Sequence, residues 1–161
     1  MPLERRFRIA LYAVVATLFA TGAAWLAIDA IRDPLAEGPG GRVASTLLMI
    51  HGAAAMALLI LFGALFALHI QPAWRCRKNR ISGGIAVGLN AVLIITAFGL
   101  YYIGSEMLRA WISDLHIGLG LGLPLLLGAH VVCGRHAAAR HRTARFRATG
   151  ETRVKVAKGV R

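Results

Sequence analysis

The stretch from Thr46 to Ile70, TLLMIHGAAAMALLILFGALFALHI, limits the possible folds more than any other part of the chain. Its 25 residues include no Asp, Glu, Lys or Arg. At about 1.5 Å of rise per residue, such a helix is long enough to cross a hydrocarbon core of about 30 Å. Three further apolar runs, at about 9–28, 81–103 and 110–134, are of similar length. Hydrophobic residues make up 57% of the 161, and they are gathered into these blocks rather than spread at the spacing of a soluble core. The chain therefore reads as all-α, an integral membrane four-helix bundle over 1–134 with a basic tail over 135–161.

The connections carry the expected punctuation. Asp29 to Ser45 reads as a loop broken by Pro34, Gly38, Pro39, Gly40 and Gly41. Gln71 to Arg80 reads as a short turn, and Gly104 to Arg109 as a short loop. Pro124, near the middle of the fourth run, predicts a kink that a membrane helix tolerates. The first run follows the basic head MPLERRFR and contains the small residues Thr21-Gly22-Ala23-Ala24, both features of a signal peptide. It is long for such a segment, however, and continues through Trp25 to Ile28, so it is read as the first span.

Charge sets the orientation. A net charge of +12 would point to nucleic acid in a soluble protein. Here the basic residues lie outside the apolar blocks, which points to topology and anionic lipid, and no nucleic-acid partner is expected. The head, the 71–80 turn and the tail hold sixteen of the nineteen Lys and Arg. The other two connections hold only Arg32, Arg42 and Arg109. By the positive-inside rule both termini are cytoplasmic, as in a multi-pass protein of a bacterial-type inner (plasma) membrane. Cys76 and Cys133 then fall at cytoplasmic helix ends and are expected to be reduced thiols, not a disulfide.

Four histidines interrupt the apolar runs. His51 and His69 lie 18 residues apart on the second, five turns of an α-helix, so they are expected on one face. His116 and His130 lie 14 residues apart on the fourth, within roughly 40° of a shared face. The second and fourth helices run in the same direction, so His51 matches His116 in depth near the outer surface, and His69 matches His130 near the inner one. Ionisable groups inside a membrane are costly and usually functional. Two depth-matched imidazole pairs are what two bis-histidine haems require, because neutral imidazole supplies both axial donors without placing charge in lipid. The expected ligand pairs are His51–His116 and His69–His130.

Other features read more simply. The glycines Gly22, Gly52, Gly63, Gly83, Gly84, Gly88, Gly99, Gly118, Gly120, Gly122 and Gly128 would give room for a macrocycle, but close helix packing accounts for them as well and is the preferred reading. Arg42, Arg109, Arg80 and Arg135 could meet haem propionates, though each also serves as a topology signal. His130 and Cys133 form an H-x-x-C pair, too few ligands for a zinc site. Asn90 reads as a polar contact between helices rather than a quinone ligand. His136 and His141 lie in the basic tail and are expected to be solvated.

His51-Gly52 with His69 on one helix, and Leu115-His116-Ile117-Gly118 with His130-Val131 on another, resembles the b-type di-haem membrane cytochromes. The nearest resemblance is to the cytochrome b561-like group, including the small flavinylation-associated cytochromes. The spacing on the fourth helix is also similar to that of the cytochrome b subunits of formate dehydrogenases and hydrogenases, although the first helix here has no histidine. The resemblance spans about 46–134. It implies haem b, transmembrane electron transfer and exchange with a quinone pool. It also implies a separate redox protein or enzyme subunit as partner, the chain being an electron-transfer subunit more than an enzyme on its own. The alternative is a non-redox four-helix membrane scaffold, or a small transporter whose histidines bind a metal.

Overall fold

The computed structural model describes residues 4–31, 39–75 and 80–159, with side chains through residue 134. It contains four helices: α1 (Arg5–Ile31), α2 (Pro39–Arg75), α3 (Arg80–Tyr102) and α4 (Glu106–Gly159). Among the described residues there is no strand. Each of α1, α2 and α3, and the Glu106–Gly134 part of α4, is long and apolar enough to cross a membrane. The protein is thus an all-α four-helix bundle of the multi-pass membrane type.

The helices overrun the apolar blocks, and the reasons are local. Arg5, Arg6 and Arg8 are good helix formers, so α1 begins at the head rather than at Ile9. The predicted loop to Ser45 is shorter than expected, because α2 starts at Pro39. Proline suits the first helical position, where no partner for its missing N–H is needed and its φ is already helical. At the far end of α2, Gln71–Arg75 remains helical instead of turning. The Arg80 guanidinium donates from Nε and Nη2 to the Trp74 carbonyl, at 3.1 and 2.8 Å, and so satisfies one of the last carbonyls of α2. Ser105 caps α4: its Oγ accepts the Leu108 N–H at 3.5 Å, and Glu106 places an acid in the first turn.

α4 does not stop at Gly134, as the division into bundle and tail predicts; it runs through Pro124 and continues to Gly159. Ala, Arg and Lys dominate the extension, all strong helix formers, and no proline follows Pro124. Pro124 removes one hydrogen bond and crowds the carbonyl four residues earlier, which belongs to Gly120.

α1 packs along α2, α3 packs along α4, and α1 also touches α4. His51 of α2 meets His116 of α4, and the later His69 and His130 lie toward the other end, so α2 and α4 run in one direction. Large apolar side chains such as Met49, Ile60, Ile95 and Leu125 point outward. That is the arrangement for a lipid solvent, which is as apolar as leucine and gives no hydrophobic gain for burying it between helices. Only four described side chains are buried: Ala44, Leu123, Thr21 and Thr96. Two of the four are hydroxyls, and both lead to the histidines.

Candidate functional site: two histidine pairs

Thr21 and Thr96 are the buried polar side chains, 8% and 6% exposed. On α1, the Thr21 hydroxyl lies 2.7 Å from the Thr17 carbonyl of its own helix and 3.0 Å from Nδ1 of His51 on α2. On α3, the Thr96 hydroxyl lies 2.9 Å from the Val92 carbonyl and 2.8 Å from Nδ1 of His116 on α4. Each ring is thus anchored through Nδ1 to the helix beside it. The two anchored rings meet, with centroids 6.4 Å apart and planes inclined by 72°.

The second pair lies at the other end of the bundle. His130 on α4 has Nδ1 3.1 Å from the Ser82 hydroxyl of α3. His69 lies toward the same end of the bundle as His130. It sits inside a π-helical turn, Phe66–Ile70, which the Gln71 N–H closes by bonding to the Phe66 carbonyl. The 18-residue spacing places His51 and His69 on one face only if the helix between them is regular. A π-turn inserts a residue into the spiral and rotates the residues beyond it by about 100°.

Glycines complete the seats. A β-carbon at Gly22 would lie 3.3 Å from Cε1 of His51, and one at Gly83 would lie 3.8 Å from Cε1 of His130. At each end a hydroxyl and a glycine are thus consecutive: Thr21-Gly22 holds His51, and Ser82-Gly83 holds His130. Gly84 receives the Trp74 ring, Gly99 receives Ile103 and Ile112, and Gly52 lies beside the Tyr101 hydroxyl. Close packing does not account for the remainder. A β-carbon at Gly63, Gly88, Gly118, Gly120, Gly122 or Gly128 would meet no atom within 4 Å.

The donor set is compatible with haem. A metal bound by two opposed imidazoles at about 2.0–2.1 Å each requires ring centroids on the order of 6.3–6.5 Å apart, and the His51–His116 separation falls there. With Nδ1 engaged at His51, His116 and His130, Nε2 is the nitrogen left to act as a donor, the arrangement usual for metal-bound histidine. Among the described residues no three His, Cys, Asp or Glu side chains converge on one point. Two-donor sites suit a macrocycle that brings its own equatorial nitrogens, and they do not suit a bare zinc ion.

One expectation is revised. Asn90 donates to the Ala86 carbonyl of its own helix at 2.9 Å, a bond within α3 and not between helices. Arg80 is engaged with Trp74: besides the two hydrogen bonds, its guanidinium lies 5.8 Å from the centre of the Trp74 ring. Arg42 and Arg109 are exposed. Cys133 is a free, exposed thiol. Cys76 lies outside the described residues, and the side chains of Arg135, His136 and His141 lie outside those described. Sequence reasoning does not single out Thr21, Thr96 and Ser82 as histidine partners. For Thr21 and Ser82 the signal is a hydroxyl followed by a glycine, Thr21-Gly22 and Ser82-Gly83; Thr96, between Ile95 and Ala97, carries no such mark.

Fold and site together define a multi-pass helical membrane protein in which His51 and His116 meet toward one end of the bundle, with His69 and His130 toward the other. No family model, characterised protein or solved structure matches the chain.

Proposed function

We propose that this protein is a di-haem membrane cytochrome of b type, similar to the cytochrome b561-like group, that carries electrons across a bacterial-type inner membrane. The observation that carries the reading is the His51–His116 pair: two rings 6.4 Å apart, each tied through Nδ1 to a buried threonine. His51 and His116 would hold one haem, and His69 and His130 the other. A bound haem would supply reversible one-electron chemistry. The chain supplies the rest. Its hydroxyls at Thr21, Thr96 and Ser82 orient three of the imidazoles, and the apolar helices around them influence the potential. The 14 residues between His116 and His130 correspond to about 21 Å of helix, most of the way across a core of about 30 Å. The basic head, 71–80 segment and tail support a cytoplasmic position for both termini, with His51 and His116 toward the outer surface. A quinone pool and a separate redox protein are the proposed exchange partners.

The test is a reduced-minus-oxidised spectrum and a haem assay on the purified protein. Low-spin haem b at about two per chain is expected. A folded, colourless protein from haem-replete cells would contradict the proposal, leaving the non-redox scaffold or metal transporter.

A further inference from the structure

We infer that Thr21 and Thr96 are positioning residues that fix the tautomer of His51 and His116, so that each ring carries its proton on Nδ1 and offers Nε2 to iron. This rests on the haem reading and concerns residues that do not touch the metal. A threonine hydroxyl has one proton. Thr21 Oγ1 lies 2.7 Å from the Thr17 carbonyl and 3.2 Å from that of Leu18. Thr96 Oγ1 lies 2.9 Å from the Val92 carbonyl and 3.0 Å from that of Leu93. Carbonyls only accept, so the hydroxyl proton goes to the helix and the oxygen turns its lone pairs to the histidine. Nδ1 of each ring therefore faces an acceptor and carries the hydrogen. In each case the fixing group lies one helix away from the ligand, α1 for α2 and α3 for α4. Assembling all four helices is then what sets both ligands.

A hydrogen bond from Nδ1–H makes the imidazole a stronger donor and favours oxidised iron. Removing it should raise the potential of the haem between His51 and His116 and leave the other haem unchanged. The experiment is a redox titration with electron paramagnetic resonance on purified wild type, Thr21→Val, Thr96→Val and Thr21→Ser. In each valine variant one of the two haems should shift toward reduction, on the order of tenfold in the reduced-to-oxidised ratio, or about 59 mV for one electron. Its low-spin signal should move as well, and the other haem serves as the folding control. Serine keeps the hydroxyl and should restore wild-type behaviour. If both valine variants retain wild-type potentials and signals, or if serine behaves like valine, the positioning role is wrong while the haem reading stands. A colourless wild type overturns both.

Discussion

A β-carbon at Gly22 would stand 3.3 Å from Cε1 of His51, closer than the ring can tolerate without moving. The ring has little freedom to move, because its Nδ1 is held 3.0 Å from the neighbouring Thr21 hydroxyl. Gly22→Ala should therefore displace the imidazole and weaken the haem site of His51 and His116, at a cost of about 1–3 kcal/mol. The haem assay should show partial loss at that site alone. Gly41→Ala, where a β-carbon meets nothing within 4 Å and which lies at the start of α2 away from both histidine sites, is the control and should retain full haem.

Arg80 ties the end of α2 to the start of α3 through the Trp74 carbonyl. Both residues are exposed, so solvent weakens the contribution, which should be about 1 kcal/mol. Arg80→Ala should lower the thermal midpoint in detergent by a few degrees. Arg80→Lys keeps the charge without the two-pronged geometry and should fall between alanine and wild type. Equal midpoints for all three would show that the contact contributes nothing to stability.

Topology rests on the sixteen-to-three division of basic residues. Reporter fusions after Arg77 and at the C-terminus should behave as cytoplasmic, and one after Gly40 as periplasmic. A periplasmic C-terminus would reverse the assignment of the two haem sites to the membrane faces.

The sequence made the number of spans and the four membrane histidines legible, because long uncharged runs and isolated imidazoles are both conspicuous in such a chain. The ends of the helices were less so. Pro39 and Gly40 look like breakers, yet proline at the first turn starts a helix as readily as it stops one. The π-turn at His69 was hidden altogether, since it changes the phase of the helix without any proline or glycine inside Phe66–Ile70 to announce it. The partners of the histidines were hidden for another reason. Thr17, Thr21, Ser45, Thr46, Ser82 and Thr96 all interrupt or border apolar runs, and most such hydroxyls bond to the carbonyl four residues back. Only the packing of α1 on α2 and of α3 on α4 selects Thr21, Ser82 and Thr96 as the ones that also meet a ring.

The measurement that bears most directly on the central claim is a redox titration of the four single alanine variants, His51→Ala, His116→Ala, His69→Ala and His130→Ala. A bis-histidine iron loses its low-spin state when either axial donor is removed. Two classes are expected: His51→Ala and His116→Ala should abolish the same low-spin haem and spare the other, and His69→Ala and His130→Ala should do the converse. If His51→Ala and His69→Ala instead removed one and the same haem, or if all four variants kept both haems, the assignment of two histidine pairs to two haems would be contradicted.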